Sequence, residues 1–327
     1  MTSLSGLKRL AKLAFSSPLG WRCAGPVLRA PGVIVLMYHR INGADRSLPG
    51  LPVEDFAAQM RWLRDNCDLI EPEAIMERAR RPTRLRPAVL ITFDDGYRDY
   101  HDWAYPVLKQ LGIPALVFLA TSFVDHGGMI WTEEVQAAAL ATRLPRVSLP
   151  WASNEPAVEL PDANARAALG ARARAHLKTL PDADRQHAVQ ELFVALGAPP
   201  TRDRQMLNWD EVRRTMDLTR YGGHTHTHPI LSRLERDAAE REIRTCRDRI
   251  ADETGRAPTL FAYPNGGPAD FTTETQDLLR QSGFQVAFST IEGIAGADTD
   301  WMAVKRLPGA GQDVPDFVWA ASGLARS

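Results

Sequence analysis

Two adjacent carboxylates, Asp94 and Asp95, stand at the end of a strongly apolar run, in ITFDDGYRDY from Ile91 to Tyr100. Like charges held that close cannot both ionise cheaply unless a cation sits beside them. One aspartate is accounted for as a helix cap, since Asp caps well and Asp-Gly turns well; the second is left over. Further on, GGHTHTHPIL carries His224, His226 and His228 within five positions, between a glycine pair and a proline. That density points to a metal site rather than to three separately satisfied structural histidines. On a straight strand, residues four apart are separated by about 13 Å; on a helical turn, by about 6 Å. The second geometry lets His224 and His228 share an ion while His226 points elsewhere. Two imidazoles and one carboxylate are the usual three-ligand set of a catalytic divalent ion, with a position left open for water. One aspartate then joins the histidines, and its neighbour stays free to take a proton from that water.

The elements that must position these residues are strands alternating with helices. GVIVLMYHRI (Gly32 to Ile41) reads as a buried strand whose tip carries His39 and Arg40, VEDFAAQMRWLRDN as a helix with Phe56, Met60 and Leu63 on one stripe, and RPAVLITFDDG as the next strand. YRDYHDWAYPVLKQLG reads as a helix stopped by Gly112, and IPALVFLAT as a further strand. The alternation predicts a parallel β/α architecture. It breaks between residues 127 and 205, where two short extended pieces and two Ala/Arg-rich amphipathic helices read as an insertion covering one edge of the domain. NWDEV resumes the scaffold with a capping box from Asn208 to Glu211. A helix over Asp237 to Thr254 follows, and then strands in PTLFAYPNGG and FQVAFST.

With 327 residues, 44% of them hydrophobic and 24% charged, the chain has an ordinary globular composition. Its formal net charge of −1 gives no global field to recruit nucleic acid, so none is expected as a partner. Cys23, Cys67 and Cys246 are odd in number and widely spaced, which suits reduced, buried thiols rather than a disulfide framework or a zinc knuckle. No run approaches the roughly 18 apolar residues of a membrane-spanning helix. Residues 1–31 read as an amphipathic helix and linker: Leu4, Leu7, Leu10, Leu13 and Ala14 lie near one face, with Lys8, Arg9 and Lys12 largely off it. That helix is expected to dock on the domain, with peripheral contact to an inner membrane as the alternative. No secretory signal pattern is read in it, so the expected location is cytoplasmic.

TFDDG together with HTHTHP resembles the polysaccharide deacetylases, the NodB-homology or carbohydrate esterase family 4 enzymes, which remove N- or O-acetyl groups from sugars. The resemblance runs from about residue 32 to residue 310, within a catalytic domain drawn at 32–315 that contains the 127–205 insertion. It implies a distorted (β/α)7-type barrel, Asp94 as general base, and Asp95, His224 and His228 as ligands of a divalent metal, zinc with cobalt or nickel also compatible. It further implies attack of water on an acetamide carbonyl whose developing oxyanion the metal stabilises. The expected partner is an N-acetylated sugar, polymeric, lipid-linked or nucleotide-linked.

The chain departs from the family in two places. Its third motif usually reads Arg-x-Pro-Tyr; FAYPNG has Ala262 in place of the arginine, keeps Pro264, and has Asn265 in place of the tyrosine. Arg306, in VKRLPG, is the candidate to supply the missing charge from another strand. The family's late histidine acid is also absent, since no histidine follows His228. In the biofilm poly-N-acetylglucosamine deacetylase branch an early YH strand end takes that place, and His39 is the corresponding acid here. Tyr97, Tyr263, Pro264, Asn265, Trp131 and Arg306 are the candidate substrate contacts, with Trp131 or Trp151 available to stack on a sugar ring. His101, His126 and His187 are read as structural or surface residues. Two other readings are hydrolysis of another amide, such as a formamide or ring amide, on the same scaffold, and a non-catalytic carbohydrate-binding relic.

Overall fold

Seven short, largely apolar runs form the strands that carry the site: β1 (Val33–Tyr38), β2 (Ala88–Phe93), β3 (Ala115–Leu119), β4 (Thr219–Gly223), β5 (Leu260–Ala262), β6 (Val286–Glu292) and β7 (Val304–Pro308). The structure, a computed structural model, describes residues 4–28, 31–44, 49–83, 86–198, 205–309 and 313–322. Every neighbouring pair of strands is parallel, and β1 closes the ring by pairing with both β7 (Leu36 opposite Leu307) and β2 (Val33 opposite Ala88). The result is the expected seven-stranded β/α barrel. It is distorted between β6 and β7, where the register shifts between Phe288 and Glu292. A further short strand, Asp68–Leu69, lies beside the start of β2.

Strand alternation sorts the core into two layers. Val33 and Val35, Ala88 and Leu90, Leu116 and Phe118, Leu260 and Ala262, Val286 and Phe288, and Val304 fill the barrel interior. The intervening Ile34, Leu36, Val89, Ile91, Phe93, Val117 and Leu119 face outward and pack with helix residues such as Phe56, Met60 and Leu63 of the Val53–Asn66 helix. Phe118 and Phe288 plug the interior at 5.3 Å between ring centroids. Gly222 makes room for this plug: a Cβ there would stand 2.6 Å from Phe118 and 2.7 Å from the Leu260 carbonyl. Two steps beyond Leu90, Gly222 and Val304, the interior rows end in polar Thr92 and Asp94, His224 and Arg306, so the barrel's C-terminal mouth receives the charged groups.

The flanking segments differ from the sequence reading in detail. Residues read as linker form a second helix, Pro18–Leu28, after the Leu4–Ser16 helix. Both dock on the barrel. Phe15 meets Trp319 of the last helix, Val314–Ala321, at 5.5 Å; Trp21 meets Trp62 at 4.9 Å; and Lys12 pairs with Asp316 at 2.7 Å. The insertion opens with a helix not anticipated, Trp131–Ala141, followed by a small antiparallel pair (Arg146–Val147 with Val158–Glu159) and the expected helices Ala163–Leu177 and Asp182–Leu196. It has its own core of Val135, Leu169, Ala173, Leu177, Leu192 and Phe193, which makes it a unit beside the barrel rather than an eighth repeat. The capping box at Asn208 and the Gly112 stop, at φ 65°, form as read.

Candidate active site

Asp94 continues the interior row of β2, so its carboxylate points into the barrel mouth and is 2% exposed. Its amide donates to the Tyr38 carbonyl at 3.0 Å, which locks the strand tip onto β1. A buried carboxylate needs a partner, and Arg306 supplies it from β7. The guanidinium meets Oδ1 at 2.6 Å and Oδ2 at 2.7 Å, while its Nε donates to the Ser289 carbonyl at 2.8 Å. Burial alone would raise the Asp94 pKa, but the charge and hydrogen bonds of Arg306 more than offset it and hold the carboxyl below its usual range. Asp95 cannot follow the same row. It adopts φ 76° and Gly96 φ 84°, a turn that carries the second carboxylate sideways toward the tip of β4.

There Asp95 Oδ1 lies 3.2 Å from Nε2 of His224 and 3.2 Å from Nε2 of His228. The two imidazoles are brought together by a bent loop, not by the helical turn expected from their spacing. The strand ends at Gly223, Thr225 and His228 take φ 64° and 61°, and Thr225 Oγ1 accepts from the His228 amide at 3.0 Å. Glu242 pins the outside of the loop by accepting from the amides of His226 and Thr227 at 2.9 and 2.8 Å. The His226 ring turns away to Thr121 Oγ1 at 2.9 Å, so it takes no part in the cluster.

The donor set fits a divalent ion on two counts. His224 Nδ1 faces the Ala262 carbonyl at 2.7 Å and therefore carries a proton, which leaves Nε2 as a lone pair aimed at a carboxylate oxygen. A buried cluster of lone pairs is unfavourable without positive charge among them. Second, tetrahedral ligands at about 2.0–2.2 Å from an ion stand about 3.3–3.5 Å from one another, close to the spacing found. Among the described residues Asp95, His224 and His228 are the group whose ligand atoms all fall within 4.8 Å of each other.

His39, at the tip of β1, brings Nε2 to 4.0 Å from Asp94 Oδ2, with its side chain 47% exposed. It stands beside Asp94, at the tip of the adjacent strand. His39, Asp94, Asp95, His224 and His228 line one cleft of about 440 Å³, with Tyr97, Asn265, Glu133, Thr290 and the basic residues Arg174, Lys178 and Arg233. The four non-glycine residues of positive φ among those described are Asp95, Thr225, His228 and Asn265. Strained backbone therefore gathers at this mouth, as it does at functional sites.

Several candidates stand elsewhere. Tyr263 is 1% exposed, stacks on Phe271 at 4.2 Å and donates to the Met302 carbonyl at 2.8 Å; it shares the outward parity of Phe261, so it is a core residue and cannot meet a substrate. Pro264 is buried and Asn265 alone of that motif reaches the cleft. Trp131 lies in an adjoining pocket beneath Arg185, whose guanidinium is 5.2 Å from its ring, and Trp151 stacks on His176 at 4.6 Å. Neither tryptophan lines the cleft. The sequence reading placed Arg40 at the strand tip but gave it no role; it sits 3.9 Å over the Tyr97 ring and bonds Glu133 Oε2 at 2.8 Å, tying the insertion to the barrel mouth. Its only local signal was its place next to His39.

Known proteins resemble this chain in sequence and in fold. The family model described as polysaccharide deacetylase matches residues 81–144 and 185–287, about half of the chain, and passes over the middle of the insertion. YxkH of Bacillus subtilis, assigned by name to the polysaccharide deacetylases, is 37% identical over 107 residues, 32% of this chain and 38% of that protein. The poly-beta-1,6-N-acetyl-D-glucosamine N-deacetylase of Escherichia coli K12 is 29% identical over 98 residues, 29% of this chain and 15% of that one. The matches thus span well under half the length of these relatives. Among solved structures, the Streptococcus pyogenes deacetylase PplD, in complex with acetate, superposes with TM-score 0.61 at 15% identity, covering 89% of this chain and 99% of its own. IcaB from Ammonifex degensii superposes at 0.57 and 19% identity, covering 90% and 98%. Such identities speak for the fold, and the matched family model for descent: this chain belongs to the polysaccharide deacetylase family.

Proposed function

We propose that the protein is a metal-dependent hydrolase that removes N-acetyl groups from an amino-sugar glycan or glycan precursor. The observation that carries this is the division of labour between two adjacent aspartates: Asp94 is clasped by Arg306, while Asp95 faces two imidazoles 3.2 Å away. Asp95, His224 and His228 would hold the divalent ion, with zinc the first choice for an N/O ligand set and cobalt or nickel compatible. Such an ion acts as a Lewis acid on the acetamide carbonyl and raises the acidity of water.

The remaining steps belong to the chain's own residues. Asp94, ionised by its Arg306 partner, takes a proton from the attacking water as the C–O bond forms. Breaking the C–N bond expels a poor leaving group unless nitrogen is protonated, and the ligand histidines are engaged. His39, 47% exposed at the cleft and 4.0 Å from Asp94, gives its proton to the leaving amine. Acetate and the free amine are the products, and the proton on Asp94 returns to His39 or solvent. The cleft continues past His39, Tyr97 and Glu133 into a second groove of about 670 Å³, which suits a substrate larger than one sugar. The test is acetate release from N-acetylglucosamine oligomers and sugar-linked precursors by metal-loaded protein. Stoichiometric metal with no acetate from any N-acetyl sugar, but hydrolysis of a formamide or ring amide, would transfer the site to another amide.

A further inference from the structure

Hydrolysis of an acetamide does not account for the three cations that line the same cleft. Arg174 lies in the last turn of the Ala163–Leu177 helix, Lys178 caps that helix four residues on, and Arg233 ends the Leu231–Arg233 turn beyond β4. A basic last turn suits the helix dipole, which explains why Arg174 and Lys178 share a helix. It does not explain why an arginine from a separate element faces the same space. Among the described residues none of the three forms an ion pair, whereas the buried arginines behind the cleft wall do: Arg40 with Glu133 and Asp99, Arg306 with Asp94. Arg174 Nε is buried without a hydrogen-bond partner. Among the described residues Asp270 is the carboxylate whose charge acts on Lys178, and it accepts from the Gly267 amide at 2.8 Å. Burial holds the Lys178 ammonium below its usual range; Asp270 opposes that, while Arg174 and Arg233 add to it.

Resting on the deacetylase reading, we propose that this end of the cleft receives a phosphate or diphosphate carried by the amino sugar, so that the substrate is a phosphorylated glycan precursor rather than a neutral polymer. Three cations against one carboxylate leave a surplus of two positive charges, which a phosphate dianion or a diphosphate matches and a neutral sugar does not. Guanidinium forks bind phosphate oxygens in pairs. A neutral ligand would instead cover the cations with nothing to replace their water. The insertion then has a role beyond capping the domain: it carries two of the three cations to a mouth whose catalytic groups come from the barrel.

The experiment measures kcat/KM for acetate release by metal-loaded protein from three substrates: a nucleoside-diphosphate N-acetylglucosamine, a short-chain polyprenyl-diphosphate N-acetylglucosamine, and a neutral N-acetylglucosamine oligomer. At least one phosphorylated substrate should exceed the neutral one by about tenfold or more, with the advantage shrinking as ionic strength rises. In Arg174→Gln and in Arg233→Gln, the latter at an exposed position, that ratio should collapse mainly through KM, with Arg174→Lys recovering part of it. The two phosphorylated arms tell a nucleotide from a lipid carrier. A ratio near one, or one unchanged by both substitutions, overturns the proposal. If no substrate releases acetate, the deacetylase reading fails separately, and calorimetry with inorganic pyrophosphate still decides this one. Affinity should drop about tenfold or more in the Arg174→Gln/Arg233→Gln double variant, and equal affinity in both proteins overturns the phosphate site.

Discussion

The guanidinium of Arg306, from the last barrel strand, grips both carboxylate oxygens of Asp94, from the second, at 2.6 and 2.7 Å with both side chains buried. The family places its arginine in the third motif, where this chain has Ala262; here the charge arrives from a different strand at the same end of the barrel. Arg306→Gln should therefore cost activity about as severely as Asp94→Asn, and unfolding free energy should fall by about 3–5 kcal/mol because a buried carboxylate is left uncompensated. The Asp94→Asn/Arg306→Gln double variant should be less destabilised than the two single losses added together. Denaturant unfolding of the four proteins checks this, and strict additivity would show that the contact carries no coupling.

His39 and Asp94 stand on adjacent strand tips 4.0 Å apart, close enough for one proton inventory to serve both. His39→Ala should keep the fold and bound metal, lose most activity on amides, and lose far less on activated acetyl esters, whose leaving groups depart without a proton. Equal loss on both substrate types, or none on either, would remove His39 from the role of acid and leave the proton to Asp94.

Much of this site was legible because its residues sit in short local runs. Asp94, Asp95, His224 and His228 follow strand patterns by at most five positions, so composition and spacing exposed them. What escaped depends on long-range placement. The bend that brings His228 back rests on positive φ at Thr225 and His228, residue types that seldom announce it. Tyr263 looked available beside Pro264 but follows the outward row of Phe261, where its hydroxyl finds the Met302 carbonyl. Arg174 and Lys178 belong to a helix read only as part of an Ala/Arg-rich insertion, and nothing in its local pattern shows that they line the mouth.

Asp99 provides a pH-dependent readout away from the ligands. Burial pushes its carboxyl up to about 7 and Glu133 adds to that, while Arg40 and the Ile41 amide, each at 3.2 Å, oppose it incompletely because Arg40 is shared with Glu133. The folded state thus holds a proton that the unfolded chain, with a carboxyl near about 3.9, releases earlier. Stability from this group is full below that value and is lost as pH rises through about 7. Asp99→Asn should flatten the decline in unfolding free energy between those pH values, and an unchanged slope would show that Asp99 titrates normally.

The Leu4–Ser16 and Pro18–Leu28 helices bury Phe15 and Trp21 against the domain yet leave Leu10, Leu13 and Leu19 exposed at 58%, 47% and 74%, beside the exposed Lys8, Arg9 and Arg22. No described helix is long and apolar enough to cross a membrane. A peripheral contact with an anionic bilayer suits that surface. Cosedimentation with vesicles containing anionic lipid should show binding that falls with salt and is lost in Leu10→Ser/Leu13→Ser/Leu19→Ser, with thermal stability preserved. Binding unaffected by that triple substitution would assign these leucines to no membrane role.

The most direct test separates the two adjacent aspartates by measuring bound-metal stoichiometry and acetate release side by side in Asp94→Asn, Asp95→Asn and His228→Ala. Asp95→Asn and His228→Ala should lose stoichiometric metal and turnover together, while Asp94→Asn should keep the metal and lose turnover by about 10²–10⁴-fold. Full metal occupancy in His228→Ala, or equal metal loss in both aspartate variants, would contradict the assignment of one aspartate to the ion and the other to the proton.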